Sequence, residues 1–205
     1  KVILGETNEL TWKTSDPKVA TVENGVITAK KPGETTITVT ADKTSQTCKV
    51  TVKQPTVRLD RTSASFYRKG TLRLSVSSTS KSIPRWKTNK KSVATVDNEG
   101  RVTAVKNGTA IITVTVDGVS KTCEVTVKKP KITVGQEQIS LMAGETCQPK
   151  VTVSSGNKPE YYSSNTNVAT VNETGMITAI GKGRAYIYAK EDGTKVRMTV
   201  TVKEK

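Results

Sequence analysis

The 205-residue chain has no histidine, one phenylalanine and two tryptophans, and aromatic residues make up only 4% of it. Without histidine, the usual general base at neutral pH and the commonest transition-metal ligand are both gone. Three cysteines, Cys48, Cys123 and Cys147, show no zinc spacing. Carboxylates are scattered. The one adjacent pair, Glu191-Asp192, precedes Gly193 and reads as a hairpin tip, and no Asp-rich loop gathers the oxygen ligands that calcium needs. No catalytic, cofactor-binding or metal-ligating residue is assigned, and no enzyme activity or cofactor is expected. No apolar run reaches 18 residues, so membrane insertion is not expected either. The first ten residues, KVILGETNEL, lack the apolar core of a signal peptide, which suggests a mature or excised piece of a longer protein. The stretch GMITAIGKGR fails as a phosphate-binding loop: five residues separate Gly175 from Gly181, Gly183 follows Lys182, and a strand pattern comes next.

What the chain does have is a repeat. VATVENGVITAKKPGETTITV starts at Val19, VATVDNEGRVTAVKNGTAIITV at Val93 and VATVNETGMITAIGKGRAYIYA at Val168. Gly25, Gly100 and Gly175 are spaced by 75, as are Gly33, Gly108 and Gly183. An aromatic residue (Trp12, Trp86 or Tyr161) stands seven positions before each VATV. A period of 75 exceeds the roughly 20–50 residues of a solenoid turn and suits a complete small domain. Gln54-Pro55 and Lys129-Pro130 follow the closing Thr-Val-Lys runs and mark boundaries, because proline cannot donate to a sheet ladder. The expected domains are 1–53, 54–128 and 129–205. The first has eleven residues before its tryptophan where the others have 32 before their aromatic residue, so it is expected to lack a first strand and part of a second.

Within each copy the pattern is strand. Leu72, Leu74 and Val76 alternate with polar residues, as do the runs TAIITVTV and KTCEVTV, which puts one face on a core and the other in water. Asn24-Gly25 is a tight-hairpin signal, and the Gly33, Gly108 and Gly183 corners follow. Six or seven short strands per copy predict an all-β chain of three tandem β-sandwiches, arranged as an elongated rod. Trp86 is expected at a core centre, with Arg85 and Lys87 pointing outward, and Phe66, Tyr186 and Tyr188 in core or rim positions. Cys48, in phase with Val50 and Val52, is expected to be a buried free thiol, as is Cys123.

The frame Trp, VATV, Asn-Gly, Val-Ile-Thr-Ala, a glycine corner and a Thr-Ile-Thr-Val strand resembles the bacterial immunoglobulin-like domain, group 2. The third copy departs from it at Tyr161, at Gly181-Lys182-Gly183 and at Met198. The resemblance implies an Ig-like sandwich, an extracellular location on the bacterial cell surface, and a role as a stalk or spacer that presents other domains or mediates adhesion.

Charge adds one more feature. Residues 54–128 hold fourteen Lys and Arg against five Asp and Glu, whereas 1–53 hold eight against six and 129–205 eleven against seven. Arg85, Lys87, Lys90 and Lys91 surround Trp86 and form the candidate surface for an anionic partner, a cell-wall polymer, a glycan or a host surface protein. A nucleic-acid partner is not expected, since that would call for more exposed aromatics. The same lysines and arginines also serve as solubilising, edge-protecting residues on outward strand faces. A monomer is expected.

Overall fold

The computed structural model describes residues 10–204, and every element among them is a β-strand. The first repeat contributes β1 (Thr11–Thr14), β2 (Ala20–Glu23), β3 (Val26–Ala29), β4 (Gly33–Ala41) and β5 (Thr44–Val52). The second contributes β6 (Val57–Leu59), β7 (Ser63–Phe66), β8 (Thr71–Arg73), β9 (Val76–Ser78), β10 (Arg85–Thr88), β11 (Ala94–Val96), β12 (Arg101–Ala104), β13 (Gly108–Val116) and β14 (Val119–Val127). The third repeats that set as β15 (Ile132–Val134), β16 (Gln138–Met142), β17 (Thr146–Cys147), β18 (Val151–Val153), β19 (Glu160–Ser163), β20 (Ala169–Val171), β21 (Ile177–Ala179), β22 (Gly183–Glu191) and β23 (Thr194–Lys203). Nine strands stand in each later repeat where six or seven are expected, because short edge pieces such as β17 carry too little alternation to read.

The described residues form two compact units, one of residues 10–60, 75–85 and 114–121, the other of residues 61–74, 86–113 and 122–204. The first unit contains the sheet β1-β4-β5 and the pairs β2-β3 and β6-β9. The second contains β11-β12-β8, β15-β18, β17-β21-β20 and the four-stranded sheet β16-β23-β22-β19. A further four-stranded sheet has the order β10-β13-β14-β7. In both four-stranded sheets the edge strand β7 or β16 joins parallel and every other pairing given is antiparallel.

The third repeat shows the core plainly. Ala185 and Ile187 alternate inward on β22, beside Val200 and Met198 of β23, and Ile177, Ala179 and Val202 share their core. Burying an Ile or Met side chain of this kind stabilises by about 1.5–3 kcal/mol each. Met198 occupies the place of Cys123, and both are completely buried.

The repeated glycines have a steric reason. Gly100, at φ +79°, lies under the indole of Trp86: a Cβ there would meet Trp86 Cζ2 and the Leu74 carbonyl oxygen, each at 2.7 Å. Trp12 covers Gly25 and Tyr161 covers Gly175 in the same way. Trp86 is thus half-buried over a hairpin rather than at a core centre, and its ring defines the hairpin's approach. The second glycine series has φ of +139 to +153°, and a Cβ at Gly33, Gly108 or Gly183 would meet Cγ2 of Val19, Val93 or Val168 at 2.9–3.0 Å. Each of those valines also accepts two backbone N–H bonds through its carbonyl, Val93 from Val105 and Lys106, for example. The motif VATV…G…G is therefore a corner in which valine and glycine interlock.

A further expectation fails. Cys48 is exposed, whereas its equivalent Cys123 is buried. In the first repeat, Val26 is 67% and Ile27 41% exposed, while Val102 and Ile177, at the position of Ile27, are fully buried. The cause is topological. β12 and β14 each pair with an outer strand, β8 and β7 respectively, and β3 and β5 have no such neighbour among the described residues. Cys48 pairs with the buried Ile37 and so keeps the inward phase, but nothing described covers it. The expected lack of leading strands concerns residues 1–9, which lie outside the described residues.

Candidate functional site

The most structured polar cluster lies in the second unit, where loops of the second repeat meet the tip of the β22–β23 hairpin. Glu191 ends β22 with its side chain 1% exposed. Alternation along β22 places it on the inward face, at the position held in the second repeat by the buried Val116. A carboxylate cannot remain there without partners, because its desolvation costs several kcal/mol. Arg68, in the turn after β7, supplies the charge: its Nε donates to Glu191 Oε1 at 3.0 Å, with the Arg68 side chain 29% exposed. Asn157 Nδ2 donates to the same Oε1 at 3.2 Å and to the Arg68 carbonyl at 3.1 Å. Ser155 Oγ donates to Oε2 at 3.2 Å. The carboxylate is satisfied from three residues, one of them in the second repeat.

Two further bonds flank this cluster. Asn107 Nδ2 donates to the Asp192 carbonyl at 2.5 Å, and Thr194 Oγ1 donates to the carbonyl of the linker residue Pro130 at 2.6 Å. Asp192 (φ +41°) and Gly193 (φ +78°) both take left-handed conformations, which closes the hairpin as a tight two-residue turn. The Oδ2 atom of Asp192 is buried with no hydrogen-bond partner among the described residues.

The first unit holds a counterpart of different chemistry. There an open cleft of about 700 Å³ is lined by Lys30, Lys31, Lys53, Pro55, Lys81 and Asp117, among others. Asp117 occupies the hairpin position of Asp192, and Ser80 that of Ser155. Ser80 Oγ donates to Asp117 Oδ2 at 2.5 Å, and hydrogen bonds from Ser80 and then Ser82 hold the Asp117 carboxyl below the usual range. No buried ion pair accompanies it among the described residues.

The four residues singled out by charge are all exposed. Arg85 and Lys87 stand on the outward face of β10, either side of Trp86, and Lys90 and Lys91 occupy the turn that leads into β11. The turn is closed by N–H bonds from Val93 and Ala94 to the Lys90 carbonyl. None of the four is in an ion pair among the described residues. The Arg68–Glu191 cluster was not found in the sequence. Its only signal there is an acidic residue where the repeat otherwise places Ala41 or Val116.

A family model described as bacterial Ig-like domain (group 2) matches residues 54–127 and 129–202, more than half of the chain. The chain belongs to the bacterial Ig-like domain (group 2) family. Residues 3–53 match a different model, described as the N-terminal β-sheet domain of hyaluronate lyase, so the family model covers two of the three expected copies. None of the curated proteins matches. Among solved structures, this Ig-like chain is similar to the I9–I11 tandem from titin, at 14% identity over 97% of this chain and 89% of that one, with a TM-score of 0.54. That likeness concerns the fold. The S-layer protein rSbsC(31-844) is 21% identical over 98% of this chain and 36% of that one, with a TM-score of 0.34, so the chain spans about a third of that protein's length. An intimin mutant from EHEC O157:H7 is 20% identical over 41% of this chain and 51% of that one, with a TM-score of 0.31.

Proposed function

We propose that the chain is a non-catalytic spacer segment of a bacterial cell-surface protein, with Ig-like modules at 1–53, 54–128 and 129–205 that hold other domains away from the surface or serve adhesion. The observation that carries this reading is the Arg68–Glu191–Asn157 cluster. It joins two consecutive modules through charge-assisted bonds to a buried carboxylate, beyond the single covalent linker. A spacer transmits position only if its modules hold their mutual orientation, and a junction built on tumbling modules needs no such bonds. The match of residues 3–53 to a β-sheet domain of an enzyme fits modules that accompany a catalytic domain.

The test is a distance measurement. With Cys48→Ser, Cys123→Ala and Cys147→Ser as background, spin labels at Asn98→Cys and Glu173→Cys report on the second and third repeats, since both residues are exposed. A single narrow distance peak that broadens when Arg68→Ala is added supports the spacer. A broad distribution in the parent chain overturns it. Small-angle scattering of the full chain tests the expected elongated arrangement.

A second reading rests on the exposed Arg85, Lys87, Lys90 and Lys91, none of them in an ion pair among the described residues. They would engage an anionic wall polymer, glycan or host surface by long-range attraction. Such binding weakens as salt shortens the Debye length below about 8 Å. Adhesion that survives replacement of all four by Gln eliminates it.

A further inference from the structure

The three repeats act as internal controls for one another, and one face of the third repeat departs from the other two. On the outward side of the sheet β16-β23-β22-β19 stand Tyr162, Tyr186, Tyr188, Lys195 and Arg197. The second repeat has Lys87, Ile111, Thr113, Ser120 and Thr122 at those positions, and the first has Lys13, Thr36, Thr38, Ser45 and Thr47. The same sheet is built twice without these tyrosines, so the fold does not require them. Three of the chain's five tyrosines are gathered on one solvent face. Ala185, Ile187 and Ala189, which alternate with them on β22, are fully buried and supply the core side. Tyr186 and Tyr188, expected in core or rim positions, are half-buried on the outer face.

Register brings these side chains into a ladder. Tyr162 lies opposite Tyr188, and Tyr188 lies opposite Arg197. The Tyr162 and Tyr188 rings stack with centroids 4.7 Å apart at 17°. Lys195 Nζ sits 4.8 Å above the Tyr188 ring and Arg197 Cζ 4.7 Å from the Tyr186 ring. β19 and β23 flank β22, so Tyr162 and Lys195 cover opposite faces of Tyr188. The free stacking face of the ladder is therefore that of Tyr162, 41% exposed on the edge strand. Lys195 and Arg197 are exposed, as is Lys190, which lies across from the carboxylate Glu160, while Glu137 lines a cleft with Arg197. The contacts hold aromatic rings and cations in place before any ligand arrives, which lowers the ordering cost of binding.

We propose that this face binds an acidic polysaccharide. A pyranose ring offers a flat C–H face to Tyr162, tyrosine hydroxyls reach sugar hydroxyls, and Lys195 and Arg197 pair with carboxylate or sulfate groups along the chain. A single nucleic-acid strand fits less well, because successive bases need several open aromatic faces and the ladder offers one. This proposal is independent of the spacer reading and of the basic residues of the second repeat.

Isothermal titration of the full chain with polygalacturonate (carboxylate), dextran sulfate (sulfate) and neutral dextran tests it, with a thymidine oligonucleotide as comparison. Binding to one or both acidic glycans is expected, with none to dextran and weaker binding to the oligonucleotide; the two acidic probes separate carboxylate from sulfate. Tyr162→Ala, which changes no charge, should weaken acidic-glycan binding about tenfold. Tyr188→Thr combined with Lys195→Ser and Arg197→Thr, the residues of the second repeat and hence compatible with the fold, should abolish it. Replacing Arg85, Lys87, Lys90 and Lys91 by Gln should leave it within about twofold. No binding to either acidic glycan, tighter binding to the oligonucleotide, or binding indifferent to Tyr162→Ala overturns the proposal.

Discussion

Arg68→Ala isolates the charge that makes Glu191 tolerable. The variant leaves a carboxylate whose side chain is 1% exposed, still held by Ser155 and Asn157 but with no cation. Removing one partner of a fully buried pair costs about 3–5 kcal/mol. Arg68 is 29% exposed, so solvent already screens part of its attraction, and the expected cost falls to about 2–3 kcal/mol. Double-mutant logic supplies the control. Glu191→Val installs the residue type that the second repeat buries at this position, Val116, and removes the need for a cation. The readout is amide hydrogen exchange in the β22–β23 hairpin, whose protection tracks local opening. Arg68→Ala should speed exchange there by about 30- to 150-fold, and adding Glu191→Val should restore at least tenfold of it. Unchanged exchange in Arg68→Ala, or a double variant no better protected than the single, would show that the pair contributes nothing and that the junction is held by other contacts.

Gly100→Ala and Gly118→Ala both place a side chain at positive φ, at a conformational cost of about 1–2 kcal/mol, but Gly118 has nothing within 4 Å and Gly100 meets Trp86 and the Leu74 carbonyl, so Gly100→Ala should cost about 1–3 kcal/mol more in urea unfolding followed by Trp86 fluorescence in a Trp12→Phe background. The Asp97 carboxyl is held below its usual value of 3.8 by N–H bonds from Arg101 and Glu99. Its stabilisation is therefore present above that value and lost as pH falls through the lowered one. Asp97→Asn should keep the loop, since Asn172 accepts the equivalent bonds from Thr174 and Met176, while flattening the acid loss of stability below about pH 4. Burial raises the Tyr161 phenol above 10.0, so its neutral form favours the fold and that contribution is lost as pH climbs past 10.0; Tyr161→Phe should remove this alkaline loss in a thermal-melt series. Ellman's reagent on the native chain should modify the exposed Cys48 quickly and the buried Cys123 only on unfolding, and equal rates would contradict their different exposures.

The sheet architecture was readable because its determinants are local. Alternation in β13, β14, β22 and β23 spans nine or ten residues each, and the turn residues between them require left-handed backbone. The glycine spacing was readable as a period, but its cause, a ring or a valine methyl lying over each glycine, depends on pairing across strands. The exposure of Cys48 could not be read, because phase tells which way a side chain points and not whether another strand lies beyond it. Glu191 was misleading for the opposite reason. Its sequence neighbours, Asp192 and Gly193, announce an exposed hairpin tip, and its burial comes from Arg68, 123 positions earlier.

Repetition within one chain separates what the fold needs from what it does not. Positions on which the copies agree, the VATV valine and the two glycines, are those where a corner leaves no room for another residue. Positions on which they differ fall into two groups. Cys48, Cys123 and Met198 exchange one inward side chain for another and leave the strand pairing as it is. Glu191 in place of Val116, and Tyr188 with Arg197 in place of Thr113 with Thr122, instead put charge or aromatic surface where the other copies have a plain strand residue, and each brings partners placed to hold it: Arg68 and Asn157 for the first, Tyr162 and Lys195 for the second. A buried acid with its cation, and a stacked ring with the ammonium above it, are the two sets on which the proposed functions rest.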